Sequence, residues 1–354
     1  MTARRETFTL LDGLRGIAAV AVVAMHTSDQ YGLVYAIPHG YMAVPFFFML
    51  SGIVIAHAYE NGVMRISSPL VFLAIRIERL YPLLLIGLVL SLCIRVGFGD
   101  GAITQQTWAM LLASICLIPW PSSSVFPLLA PQWSLAIEIW GNLVHRLILD
   151  RLHDRNLMLF VGFGGAAMTA SGLYYGGLNI GWSLETLIGG VATFAFCYPC
   201  GILLYRMRGQ AQLPRVIAPL WLLVAALLAA ICVPTPLRTT ANGLRDLTCA
   251  IVIFPLLLTA AMNVKPSGVV VHVAQWLGVL SYPLYIIHYP IVIKAARLLN
   301  ESGPSRLVQY ISVPIIVALA IGIACLCLMI DVWVRRRLKA IRGNRAIAQP
   351  AAAP

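Results

Sequence analysis

The sequence is short of charge. Asp, Glu, Lys and Arg make up 11% of its 354 residues, against about 25% in a soluble globular domain. That is too little to cover a water-facing surface of this size, so a soluble globular fold is excluded. The chain also lacks a long polar stretch that would form a separate soluble domain. No cleavable leader is expected, because the first apolar run contains Asp12 and Arg15 and no small-residue cleavage site follows. No segment repeats, which leaves an inverted-repeat transporter architecture without support. The eight cysteines lie mostly inside apolar runs. Cys197 and Cys200 form a C-x-x-C, but within FAFCYPCGI the spacing reads as helix packing. Cys325 and Cys327 sit in another apolar run, so neither a disulfide nor a metal site is expected.

What is present is hydrophobic, 60% of residues, with a mean hydropathy of +0.86. Apolar runs occur at about 10–28, 41–59, 74–97, 131–149, 157–175, 184–205, 216–233, 246–262, 273–297 and 307–333. A run of ~17–25 residues crosses ~30 Å of hydrocarbon. This pattern predicts an all-α membrane protein, a polytopic bundle of about ten transmembrane helices. A net charge of +12 and an isoelectric point of about 9.6 would suit a nucleic-acid binder, but the basic residues sit in short loops and in RRRLKAIRGNR at 335–345. The bias of Lys and Arg toward the cytoplasmic side produces that distribution. Lipid is therefore the expected surrounding, and no nucleic-acid partner is expected.

The same bias sets the topology. Arg4 and Arg5 place the N-terminus inside. Arg146, Arg151 and Arg155, and then Arg206, Arg208 and Arg215, come out inside only if WAMLLASICLIPW at 108–120 does not cross. Both termini are then cytoplasmic, and 108–120 is a re-entrant or outer-surface segment. Residues 1–340 are expected to form the membrane domain and 341–354 a disordered cytoplasmic tail. The 98–130 stretch becomes the longest outer connection, and long irregular loops often carry function.

Ionisable side chains inside spans are costly, so each is a functional candidate. Arg15 and His26 stand 11 residues apart in the first run. That separation returns to within ~20° of one helix face and covers ~16 Å along the axis. The alternative is an Arg snorkelling to the inner headgroups and an interfacial His. Arg76 and Arg79 share a face at i and i+3. Two guanidiniums together suit a phosphate, although a basic inner flank is expected there in any case. Glu138 lies about two turns inside its run, in the outer half by topology and at a depth comparable to His26. It would orient an imidazole or pair with an arginine for structural reasons. LGVLSYPLYIIHYP brings Ser281, Tyr285 and His288 into one run kinked by Pro283 and Pro290, where packing and substrate contact are both open. FFFMLSG ends in a Ser-Gly pair that allows close helix approach. His39, in the first outer loop, is a weaker candidate.

Taken in order, these segments resemble the acyltransferase-3 family of membrane O-acyltransferases. LDGLRGIAAVAVVAMH is similar to its first helix, with an Arg–ten residues–His motif at Arg15 and His26. Arg76 and Arg79 match its Arg-x-x-Arg. FFFMLSG, WSLAIE and LGVLSYPLYIIHYP resemble three further motifs. One departure is Val44-Pro45, where the family places Gly-Val and an acidic residue. The resemblance implies a stand-alone member in a bacterial cytoplasmic membrane. It implies transfer of an acyl group, usually acetyl, from cytoplasmic acetyl-CoA to a hydroxyl of an extracytoplasmic carbohydrate or glycolipid. Arg15, Arg76 and Arg79 would hold the phosphates of the acyl-CoA donor. His26 would be the general base or the acyl carrier, with Glu138 supporting it. Ser281, Tyr285 and His288 would contact the substrate. A second copy of the chain is a further candidate partner. A transporter or flippase that uses the same intramembrane Arg, His and Glu is the competing class.

Overall fold

The protein is described by a computed structural model covering residues 8–33, 36–60, 68–98, 102–210, 212 and 218–347, with side chains as far as 337. Arg4, Arg5, Arg215 and residues 348–354 lie outside the described residues. Every regular element among those described is helical. In chain order they are α1 (Thr9–Gln30), α2 (Ala43–Tyr59), α3 (Pro69–Gly97), α4 (Gln105–Ile115), α5 (Gln132–Leu147), α6 (Asp154–Tyr174), α7 (Leu187–Gly209), α8 (Leu220–Cys232), α9 (Thr240–Thr248), α10 (Phe254–Asn263), α11 (Val269–Asn300) and α12 (Arg306–Ile347). A π-helical turn, Cys249–Ile253, joins α9 to α10. Pro255, just after it, has no N–H to return to the preceding turn, and a widened turn accommodates that gap.

Eight of these helices are long and apolar enough to cross a membrane, with α9 and α10 counted as one. The chain is an integral, multi-pass membrane protein. The other two expected spans are helical but short. α5 has 16 residues and α8 has 13, which reach ~24 Å and ~20 Å at 1.5 Å per residue. Pro219 precedes α8, and Pro234 and Pro236 follow it. The 108–120 segment forms α4, whose 11 residues begin in a capping box between Thr104 and Thr107. The backbone of α12 is helical to Ile347, since Arg, Lys, Ala and Ile continue a helix readily.

α1 is the buried centre, lying along α11 in parallel. Arg15 meets Ser281, His26 meets His288, and the Asn300 side chain donates to the Gln30 carbonyl at 3.1 Å. In lipid, helix association rests on close packing and hydrogen bonds, and small residues provide it here. A Cβ on Gly52 would collide with the Tyr198 carbonyl, and one on Gly201 with the Met49 carbonyl, so α2 and α7 touch backbone to backbone. These two helices also run parallel, from the Phe48–Phe194 ring contact at 5.0 Å to the Glu60–Arg206 ion pair at 2.7 Å. α12 runs the other way, with Arg306 donating to the Tyr31 carbonyl at one end and Arg335 to α3 at the other.

Candidate active site

At one end of the bundle four guanidiniums line a cavity of about 530 Å³: Arg15, Arg76, Arg79 and Arg335. Arg15 Nε donates to Ser281 Oγ at 2.7 Å and its Nη2 to the Gly278 carbonyl at 2.6 Å, with Asp12 at 3.4 Å. Ser281 is therefore the anchor of Arg15. Arg76 is 5% exposed and donates from Nη2 to Glu138 Oε1 at 3.0 Å. Ser51, of the FFFMLSG segment, donates to the same oxygen at 2.6 Å. Arg76 Nε is buried without a hydrogen-bond partner. Arg79 makes no side-chain hydrogen bond or ion pair to another described residue.

A proline sets the geometry of this end. Pro82 lies inside α3 and has no N–H for the carbonyl of Glu78, four residues earlier. Arg335 fills that vacancy from α12. Its Nη1 donates to the Glu78 carbonyl and its Nη2 to the Arg79 carbonyl, both at 2.8 Å. Asp331 holds Arg335 Nε at 2.8 Å, and the Tyr282 hydroxyl donates to the next carbonyl, Leu80, at 2.6 Å. The kink that carries Arg76 and Arg79 is thus stapled from two other helices.

The cavity extends past Glu138 to Phe47, Ser134 and Tyr285. Tyr285 shares a 2.8 Å hydrogen bond with Ser134 and meets Phe47 edge to face at 5.5 Å. One turn further along α11, His288 is fully buried and stacks on the half-buried His26, with centroids 5.4 Å apart at 23°. Tyr289 meets His26 edge-on at 5.4 Å. Both neighbours of His288 Nδ1 are carbonyls, Leu284 at 3.1 Å and Tyr285 at 2.8 Å. Nδ1 therefore carries the proton, and Nε2, buried without a partner, presents a lone pair.

The structure brings Arg15, Arg76, Arg79, Glu138 and Ser281 together at one end, and His26 with His288 at the other, with Tyr285 between. Glu138 differs in depth from the sequence expectation. α5 enters at the level of Tyr285, through Ser134, and Glu138 lies one turn further toward the arginines. Its carboxylate is engaged with Arg76 and Ser51, and among the described residues His26 has no carboxylate hydrogen-bonded to it. His39 lies elsewhere, buried beside Tyr41. All eight cysteines are free, and no group of metal ligands exists among the described residues.

The sequence pattern of the acyltransferase domain family matches residues 8–333, which span every element above except the end of α12. The chain belongs to the acyltransferase-3 family. Among curated proteins, this acyltransferase is 26% identical to a protein named acyltransferase MdmB from Streptomyces mycarofaciens, over 84% of this chain and 82% of that one. It is 34% identical to a protein named protein 2 in picA locus from Rhizobium radiobacter, over 40% of this chain and 81% of that one. No solved structure matches it.

Of the partners in this candidate site, Asp12, Ser51, Ser134 and Tyr282 lie inside the quoted motif segments without being singled out there, and Asp331 and Arg335 lie outside them. Asp331 carried a usable signal, as a carboxylate inside an apolar run. So did Pro82, whose position four residues after Glu78 marks a carbonyl that needs a donor. That Arg335 supplies it depends on tertiary packing alone.

Proposed function

We propose that this acyltransferase moves an acyl group, acetyl by preference, from cytoplasmic acyl-CoA to a hydroxyl of an extracytoplasmic carbohydrate. The observation that carries the reading is the cavity itself. It begins among four arginines and ends at Tyr285, one helical turn short of the His26–His288 pair.

The residues fit such a donor. Arg79 without a described partner and the orphaned Nε of Arg76 are the donors left for phosphate oxygens, whereas Arg15 and Arg335 are occupied in holding helices. A volume of about 530 Å³ suits one slender organic group. The acyl-pantetheine arm would occupy it, with the nucleotide end at the arginine mouth. His26 would remove the proton of the acceptor hydroxyl as its oxygen attacks the thioester carbonyl. The new C–O bond forms, the C–S bond breaks, and the proton passes to the departing thiolate. His288 Nε2, an acceptor, would hold a neighbouring hydroxyl of the sugar. Tyr285, which lines the cavity and whose ring lies 6.2 Å from that of His288, would donate to the oxyanion. Glu138 acts here by fixing Arg76.

Ten crossings with both termini cytoplasmic go with this reading. Parallel α2 and α7 are consistent with three crossings between them, which would be α3, α5 and α6. Parallel α1 and α11 are likewise consistent with α8 as a further crossing. His26 falls at the outer end in a bacterial cytoplasmic membrane, and the arginines at the inner end.

The test supplies labelled acetyl-CoA to membranes that hold the surface glycan and compares the enzyme with His26→Ala. Loss of about 10²–10⁴-fold in glycan labelling is expected for removal of a general base. Labelling that survives would end the assignment of His26, and glycan export without any labelling would favour a transporter.

A further inference from the structure

A second cavity, of about 770 Å³, shares no lining residue with the first. It forms where residues 121–123, 175–186 and 237–242 converge with Tyr41, connections that lie at the His26 end of the bundle. Its floor is built rather than solvated. Tyr41 and Asn242 are 6% and 2% exposed. The Tyr41 hydroxyl donates to Asp246 at 2.9 Å, and Asn242 donates to the Gly176 carbonyl at 2.8 Å. Asp246 also accepts from the Leu178 amide and from Arg245, each at 2.9 Å. Gly177, at φ +149°, leaves no room for a side chain beside Asn242. Arg238 is held at φ +58°, a conformation uncommon for a side chain of its size. Such outliers persist where the surroundings over-determine them, and they concentrate at ligand sites.

The rim has a distinct chemistry. Trp182, Asn179 and Ser123, all exposed, bring an indole, an amide and a hydroxyl to the rim, while Glu185 and Arg238 add one carboxylate and one guanidinium. The two charges cancel, so the pocket does not select an anion as the arginine-lined cavity does. An aromatic face with neutral donors and acceptors converging around it suits an uncharged ring bearing several hydroxyls. His26 and His288 do not line this pocket, and it shares no lining residue with the arginine-lined cavity, so its occupant sits apart from both.

We propose that this pocket binds a sugar unit of the acceptor glycan other than the one that is acylated, an inference that rests on the acyltransferase reading above. It makes the enzyme prefer acceptors of more than one sugar. Trp182 and Arg238 are the contact residues to test, because both side chains are exposed and the floor network does not use them.

The experiment uses the full chain in phospholipid nanodiscs, with maltotriose, cellotriose and triacetylchitotriose as probes in calorimetric titration. Saturable binding of at least one trisaccharide is expected, weakened about tenfold or more by both Trp182→Ala and Arg238→Ala, with acetyl-CoA binding and the melting temperature as controls for folding. Binding of none of the three, or binding unchanged in both variants, would overturn the proposal. The two readings fail separately. Acetyl transfer to glycan without Trp182-dependent trisaccharide binding removes the pocket alone. Trisaccharide binding lost in both variants, in a protein that transfers no acetyl group, removes the acyltransferase mechanism and leaves the pocket.

Discussion

His288 lies against His26 with ring centroids 5.4 Å apart, and its Nε2 has no partner. The carbonyls of Leu284 and Tyr285 hold its proton on Nδ1, so the Nε2 lone pair is left without a donor beside the proposed base. A buried polar atom left unpaired costs about 1–3 kcal/mol, and a bound hydroxyl relieves it. His288→Ala is expected to lower kcat/KM for the acceptor about 10–100-fold while leaving the KM for acetyl-CoA unchanged. Steady-state kinetics with each substrate varied in turn would show it. An effect confined to acetyl-CoA would place His288 on the donor side instead.

Glu138 and Arg76 form a largely buried ion pair in the arginine-lined cavity, 3.0 Å apart. Removing one partner of such a pair costs about 3–5 kcal/mol, whereas replacing both by apolar groups of similar volume is often neutral. Glu138→Met should therefore lower the melting temperature in detergent. Arg76→Met combined with Glu138→Met should recover most of that loss and remain inactive. Activity in the stable double variant would show that the pair does not serve the donor.

Arg335 and Pro82 should be coupled although they are distant in sequence. Restoring an N–H with Pro82→Ala gives the Glu78 carbonyl an intrahelical partner, so Arg335→Ala should cost less in that background. A double-mutant cycle on thermal stability should return a coupling of about 0.5–3 kcal/mol. Strictly additive effects would mean that Arg335 does not compensate the kink.

His39 makes stability depend on pH. Burial, with the Arg245 cation adding to it, pushes its imidazole down to about 4, whereas an unfolded histidine titrates near about 6.5. Below that value the unfolded chain takes up a proton that the folded chain refuses. The stabilising contribution is thus complete above about pH 6.5 and is lost as pH falls toward about 4. His39→Gln should flatten the fall in melting temperature between about pH 7.5 and about pH 5. An identical fall in both proteins would remove His39 as its source.

The fold was legible wherever a span is a continuous apolar run, as in α1, α2 and α7, because hydropathy and length alone decide such helices. α5 was legible as the apolar run at 131–149, although Gln132, Ser134, Glu138 and Asn142 dilute it. The two ends of the site were legible as Arg15, Arg76 and Arg79 on one side and His26 with His288 on the other, because ionisable groups in spans are conspicuous. The depth of Glu138 was not, since counting turns from the start of an apolar run places that start at the membrane edge, whereas α5 begins beside Tyr285. Partners such as Ser51 and Arg335 were invisible for a different reason. Serine in a span and arginine at a helix end are ordinary, and only packing gives them a role.

The most direct test of the central claim is sidedness. Labelled acetyl-CoA is presented to inside-out and to right-side-out membrane vesicles carrying the same enzyme, and label on the glycan is counted. The cavity geometry predicts labelling only when acetyl-CoA meets the arginine face exposed by inside-out vesicles, and its loss there in His26→Ala. Equal labelling of intact right-side-out vesicles would contradict delivery of the acyl group from the arginine end to His26.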